Sequence, residues 1–298
     1  MKFELPIISL ATFWLVAPAS TASVFAGFAM ANNKSNGFGN KKKQNSRGEK
    51  NQEANLETIQ LGPHKSVHIW IPPNELEGSR DETSKFMKNK ANLLEAYADF
   101  RGTGDVIWPS ALHLARLVAN CPSFVSGKRV LDLGCGLGLV SLAAILGGPS
   151  ELTLCDVDKS VLEMAWKSCA SAADQITGEE NTNNPCSLFK LELDWRNPAT
   201  WPEKGSVDVV LASDILYDED ATLHVNRLIT HLLGDDYLLA TSTNGPTGRA
   251  LIVDPISRSN RDAFAGQALQ AGLTAGMAPF PGQENEFVLI NVTPRTAF

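Results

Sequence analysis

Residues 130–138 read Val130-Leu131-Asp132-Leu133-Gly134-Cys135-Gly136-Leu137-Gly138. The apolar run from Val130 to Leu133 has the length and composition of a buried strand. Three glycines alternate behind it, and Leu139 to Leu146 is apolar nearly all round, as a helix packed onto a sheet would be. Strand, glycine turn and helix form the first half of a nucleotide-binding βα unit. Glycine at these positions allows positive φ and lets a ligand approach the backbone without meeting a Cβ. A dinucleotide fingerprint, G-x-G-x-x-G, would need a third glycine where this chain has Leu139. The spacing therefore argues against a pyrophosphate cradle, and with it against a dinucleotide oxidoreductase.

Toward the C-terminus, Leu152 to Cys155 is a second strand, ending at Asp156-Val157-Asp158. An acid about 20 residues past the glycines is where the ribose hydroxyls are accepted in such a unit, which singles out Asp156. Asp158 suits the cap of the next helix, whose Val161, Leu162, Ala165, Trp166 and Cys169 are expected to face inward. The polar stretch from Ser171 to Pro185 reads as loop. A third strand, Ser187 to Leu193, leads into Asp194-Trp195, whose indole offers a flat face to an adenine ring or else packs under the Pro198 to Pro202 loop. Val207 to Ala212 is a fourth strand, running into Ser213-Asp214-Ile215-Leu216-Tyr217. Carboxyl ends of parallel strands face the ligand crevice, so Asp214 and Tyr217 are expected there, unless Asp214 caps the helix over 220–233. A fifth strand, Arg249 to Val253, closes with Asp254-Pro255. A helix over Ser259 to Gly272 and a strand pair, Leu273 to Pro279 and Glu286 to Val292, complete the pattern. The alternation predicts an α/β fold: a Rossmann-like parallel sheet with helices on both faces, the closing pair adding one antiparallel edge strand.

Toward the N-terminus, Gly104 to Leu112 opens a helix with Pro109 in its first turn and Ala111, Leu114, Ala115 and Val118 on one face. Trp108 just before it is either a core aromatic or a wall of the ligand pocket. Farther back, a helix is expected over Lys85 to Tyr97, and Thr58 to Leu61 with Val67 to Ile71 flank Gly62-Pro63 as a small β-hairpin.

The chain has 298 residues, 43% of them hydrophobic, enough for a sizeable core. Its net charge of −7 hides an asymmetry: residues 1–50 carry +5, leaving −12 on the remainder. An acidic body argues against a nucleic-acid surface. Five cysteines without a C-x-x-C pair, two of them (Cys135 and Cys155) in the turn and a core strand, suggest neither a disulfide framework nor a zinc site, and no metal is expected. In the first 33 residues charges occur only at Lys2 and Glu4, and Leu5 to Ala19 is an apolar block of signal-peptide length. Ala22-Ser23-Val24-Phe25-Ala26 resembles the cleavage motif of bipartite plastid-targeting leaders in diatoms and related algae. Asn32 to Gln52, rich in Asn, Lys and Ser, has transit-peptide composition. The division expected is a signal-like segment (1–24), a transit-like segment (25–54), a hairpin and helix extension (55–103) and a main domain (104–298). Plastid import is the expected destination, with secretion or membrane anchoring as the alternatives.

Five motifs stand in order: Gly104 to Ser110, Asp132 to Gly138, Asp156, Leu193-Asp194-Trp195, and Ala212 to Tyr217. The combination resembles the seven-strand (class I) protein-lysine methyltransferases that use S-adenosylmethionine. That resemblance implies a seven-stranded Rossmann-like sheet over roughly 100–292 and methyl transfer to a nitrogen, most simply a lysine of a protein substrate, by a monomer that neither binds nucleic acid nor inserts into a membrane. It gives Trp108 a place lining the cofactor pocket, and Gly134, Cys135 and Gly136 contacts with the methionine part. It gives Asp156 the ribose, Trp195 the adenine, and Ala212 a backbone contact to the base. Gly138 completes the turn, and Asp132 supplies negative charge near the ammonium and sulfonium. The D-x-x-Y motif is Asp214-Ile215-Leu216-Tyr217, with Asp214 and Tyr217 as catalytic candidates at the acceptor's entry. Ala250 to Pro255 is more similar to the flavoprotein-methylating and bacterial branches. A small-molecule amine methyltransferase and a cofactor-binding interaction module remain as alternative functions.

Overall fold

The structure is a computed structural model that describes residues 54–72, 104–177, 186–233 and 248–295. The leader and the helix expected over 85–97 lie outside these residues. Two strands, β1 (Asn55–Gly62) and β2 (Lys65–Ile71), pair antiparallel as the expected hairpin. Then follow α1 (Pro109–Asn120), β3 (Arg129–Leu133), α2 (Leu139–Leu146), β4 (Glu151–Asp156), α3 (Lys159–Thr177) and β5 (Ser187–Glu192). The chain continues through β6 (Val209–Ser213), α4 (Glu219–Leu233), β7 (Arg249–Pro255), α5 (Asn260–Gln270), β8 (Leu273–Pro279) and β9 (Phe287–Pro294).

Seven strands form one sheet in the order β5-β4-β3-β6-β7-β9-β8. The first five are parallel; helices return the chain from β3 to β4, from β4 to β5 and from β6 to β7, and a longer connection with one short 3-10 turn returns it from β5 to β6. β9 runs antiparallel between β7 and β8. This corrects the expectation of an antiparallel edge strand: the antiparallel strand is internal and β8 forms the edge. The reason is burial. β9 carries Val288, Leu289, Ile290 and Val292, all nearly inaccessible, and an apolar run of that kind needs cover on both faces.

Alternation along the strands divides the core into two layers. Val130, Val209, Leu211, Leu251 and Val253 face α1, α2 and α3 together with the hairpin's Leu61, Val67 and Ile69. Leu131, Leu133, Val210, Ala212 and Ile252 face α4 and α5 through Val225, Leu228, Ile229 and Phe264. The hairpin set apart as an extension by its sequence thus shares the domain's core. Asn120 Nδ2 donates to Leu61 O at 2.8 Å, Trp70 N donates to Ser168 Oγ at 3.0 Å, and the Lys167 ammonium lies 3.6 Å from the Trp70 ring centroid.

Two expectations on α3 are corrected. The helix continues through Ser171 to Thr177, where loop was expected, since Ala-Ser-Ala-Ala favours helix in spite of its polar neighbours. Trp166 is only half-buried, with Lys190 Nζ 5.4 Å from its ring centroid, while Ser168 takes an inward place. Among the described residues no helix is long and apolar enough to cross a membrane, and no group of side chains is arranged to hold a metal ion.

Candidate active site

Strand order reverses between β3 and β6, and the carboxyl edge at such a point is where an open parallel sheet leaves a crevice. The β3–β6 ladder ends at the pair Leu133–Ala212, after which the two chains part. β3 turns into the glycine stretch, with φ of 68° at Gly134, 51° at Gly136 and 83° at Gly138. All three are left-handed, which accounts for glycine at each, yet their surroundings differ. A Cβ on Gly134 would stand 3.1 Å from Trp195 Cζ2, and one on Gly136 would stand 3.2 Å from Gly104 O. A Cβ on Gly138 would meet Ala165 Cβ at 2.9 Å. Gly138 therefore lets α3 pack closely on the turn.

Asp156, at the end of β4, accepts from Gly136 N at 3.0 Å through Oδ2 and from Asp158 N at 3.0 Å through Oδ1. Each oxygen keeps lone-pair capacity for a hydroxyl. Burial raises its pKa, an effect the backbone donors partly offset. Asp158 caps α3, with Ser160 N donating to its Oδ1 at 2.8 Å, as the sequence suggested.

Asp132 departs from expectation. Its carboxyl is 2% exposed and accepts from Ser141 Oγ at 2.6 Å, joining the end of β3 to the first turn of α2. Burial pushes its pKa up to about 7. Little of its surface is left for an ionic contact with a ligand, so its place is beneath the turn. Cys135 is buried too, and burial drives its thiol well above the ordinary range. Its N–H donates to Cys155 O at 2.9 Å, fixing the turn to β4.

Trp195 is half-buried, rests against Gly134, and has its ring centroid 6.1 Å from that of Tyr217. Trp108 immediately precedes α1, and its carbonyl accepts from Ala111 N at 3.0 Å. The segment leading to it passes the glycine turn, where Gly104 O stands 3.2 Å from the position of a Cβ on Gly136. Ala212 is fully buried at the point where β3 and β6 separate.

Asp214 is the non-glycine residue with positive φ (57°) among the described residues, a conformation that is uncommon for a side chain bearing Cβ and that concentrates at functional sites. Its side chain is 8% exposed. Arg258 Nη2 donates to its Oδ1 at 2.6 Å, and Ser110 Oγ donates to its Oδ2 at 3.3 Å. The helix cap is Asp218 instead, whose Oδ1 accepts from Ala221 N at 2.8 Å. The two residues between Asp214 and Tyr217 explain the motif's spacing. Ile215 and Leu216 are buried in the α4/α5 layer and pin the loop, leaving its two polar ends at the sheet edge. Burial raises the Tyr217 hydroxyl's pKa, so it stays protonated at neutral pH.

Sequence reasoning missed Arg258 and Ser110. Neither lies at a fixed spacing from Asp214. The available hint was that Arg258 follows the carboxyl end of β7, the edge that carries every other candidate.

Taken together, the residues fit S-adenosylmethionine. Gly134 and Gly136 bare the backbone, Asp156 offers two oxygens, and Trp195 provides an aromatic face beside the turn.

Comparison with known proteins agrees. A family model described as lysine methyltransferase matches residues 87–244, more than half of the chain. The chain is 30% identical over 166 residues to the electron transfer flavoprotein beta subunit lysine methyltransferase of Rattus norvegicus, covering 55% of this chain and 53% of that protein. It is 27% identical over 145 residues to the protein N-lysine methyltransferase METTL21A of Danio rerio, covering 47% and 61%. Among solved structures, the T. thermophilus 16S rRNA N2 G1207 methyltransferase, in complex with AdoMet and guanosine, aligns with a TM-score of 0.48 at 14% identity, covering 82% of this chain and 51% of that one. The chain spans about half the length of the flavoprotein-directed relatives it matches. By the family match and the strand order that carries its motifs, this chain belongs to the lysine methyltransferase family.

Proposed function

We propose that this protein transfers a methyl group from S-adenosylmethionine to the side-chain nitrogen of a lysine in a protein substrate. The observation that carries the reading is Asp214, held left-handed at the crevice edge with Tyr217 three residues on and Trp195 beside it. The cofactor supplies an electrophilic methyl group on a sulfonium, and the chain's residues do the positioning. Gly134 and Gly136 admit the cofactor to the backbone, while Asp156 orients its ribose. A lysine, with a pKa near 10.4, must arrive at the methyl as a neutral amine. Asp214 already accepts a short bond from Arg258, which fixes it as an acceptor for an amine N–H. The proton then leaves to water. Tyr217 and Trp195 form an aromatic wall that attracts the ammonium before it loses that proton. Most of the acceleration comes from holding amine and methyl in line.

Relatives named for the electron transfer flavoprotein beta subunit make that protein the first acceptor to try. The purified protein is incubated with methyl-labelled cofactor and either that subunit or an organelle extract, and tryptic peptides are sequenced by mass spectrometry. Label on lysine supports the reading. Label confined to small amines supports the metabolite alternative, and cofactor binding without transfer supports the interaction module. The leader's composition further supports action inside a plastid, where the acceptor would be a plastid protein.

A further inference from the structure

Arg258 lies in the loop between β7 and α5, reaches Asp214 across 44 residues of sequence, and is only 17% exposed. Its loop is tightly fixed. Arg258 N donates to Pro255 O at 3.1 Å, Arg261 Nη2 donates to Ile256 O at 2.6 Å, and Arg261 Nε donates to Arg258 O at 3.0 Å. Asn260 Nδ2 donates to Leu216 O at 3.2 Å, which ties the loop to the D-x-x-Y motif itself. Asp254, which ends the same strand, is fully buried, with Oδ1 accepting from Leu216 N at 3.4 Å and Oδ2 without a hydrogen-bond partner. Asp254 feels Asp214 as a like charge, and Arg258 and Arg261 as opposite ones. One guanidinium thus lies in the field of two buried carboxylates, of which it bonds one.

Asp214 needs such a partner. A left-handed conformation is unfavourable for an L-residue, and something must hold it there. Its backbone N–H donates to Val253 O at 3.0 Å, and the Ser110 contact at 3.3 Å is long for a hydroxyl. The charge-assisted bond from Arg258 is the strongest of the three. We infer that Arg258 is a positioning residue for the methyl acceptor: it fixes one edge of the Asp214 carboxylate so that the remaining lone pairs meet the incoming amine. This rests on the reading of Asp214 as the residue that orients the acceptor.

The test compares Arg258→Ala and Arg258→Lys with wild type for cofactor affinity by calorimetry, melting temperature, and steady-state methylation. The expected result for Arg258→Ala is a kcat at least tenfold lower per folded molecule, with cofactor affinity near wild type and a lowered melting temperature. Arg258→Lys recovers part of that loss, and added guanidinium at non-denaturing concentration recovers part of it in Arg258→Ala. The double variant Asp214→Asn/Arg258→Ala is no slower than Asp214→Asn alone, because the arginine acts through the aspartate. Wild-type kcat in Arg258→Ala, or a loss that only tracks the folded fraction and ignores guanidinium, overturns the inference. Should Arg258→Ala not fold, Arg258→Gln takes its place, and wild-type kcat there overturns it equally. If wild type binds cofactor but methylates nothing, the methyltransferase reading falls. The positioning claim is then decided by a crystal structure of the variant, which supports it if Asp214 leaves the left-handed region and overturns it if Asp214 stays.

Discussion

Asp156 accepts a hydrogen bond of 3.0 Å from the backbone N–H of Gly136, so the acid ending β4 and the turn following β3 form one unit. Asp156→Ala removes both a ribose acceptor and a brace of the turn. Cofactor affinity is expected to fall by about 1.5–3 kcal/mol, roughly 10- to 150-fold, as for a lost hydrogen bond to a charged group. Calorimetry giving unchanged affinity would take Asp156 out of the site.

The three glycines of the turn are expected to respond differently to alanine. Gly134→Ala forces a Cβ onto Trp195 and perturbs the face that receives the cofactor, so binding weakens even where the variant folds. Gly138→Ala forces a Cβ onto Ala165 between turn and α3. Overpacking of that kind costs about 1–3 kcal/mol of stability, with the affinity of the folded fraction largely kept. Melting curves beside calorimetry separate the two, and identical behaviour would contradict the assignment of Gly138 to packing.

Asp214→Asn keeps the side chain's size, and asparagine tolerates the left-handed region, so the fold should stand. Removing the charge breaks the pairing with Arg258 and weakens the grip on the amine. Turnover is expected to drop by about 10²-fold or more, the order that lost positioning costs, while cofactor affinity hardly moves. Because Asp218 caps α4, a purely structural part for Asp214 would leave turnover intact. Full activity in a single-turnover assay sinks the assignment.

Stability should carry the signature of buried acids. Burial raises Asp132 and Asp254 from an ordinary value near 3.8 to about 7. Between those values the native state holds protons that the unfolded chain releases, so the stability these groups contribute is present at the acid end and lost as pH rises through 7. His113, wedged between Phe280 and Phe287, works the other way. Burial, aided by Arg116, lowers it from 6.5 to about 4, and its contribution is lost as pH falls across that window. In melting series from pH 4.5 to 8, Asp132→Asn should gain on wild type progressively as pH rises. A constant offset between the two curves would show that Asp132 does not titrate there.

Import is tested separately. A fluorescent protein fused behind residues 1–54 is expected to enter the plastid of a diatom-like host. Retention in the endoplasmic reticulum, or release from membranes only by detergent, would favour the secretory or anchored alternatives.

Most of the sheet was readable from the chain because its signals are local. Apolar runs such as Val130 to Leu133 are buried on both faces, glycine marks the left-handed turn, and each parallel strand delivers its last polar residue to one edge. That logic placed Asp156, Trp195 and Asp214 near one crevice before any coordinates. The antiparallel β9 was readable as a strand, and its apolar run was a hint to an internal place, but its pairing with β7 and β8 is fixed only in the fold. The glycines looked alike in sequence, and only packing showed that Gly134 meets Trp195 while Gly138 meets Ala165. Asp132 looked like a ligand for a cation until its burial under Ser141 was seen. Arg258 carried only the hint of its place after β7, because an ion pair across 44 residues is fixed by where two loops end. Spacing along the chain sets which backbone conformations are allowed; which side chains then share a buried volume is decided by the fold, since charge and close packing act through space.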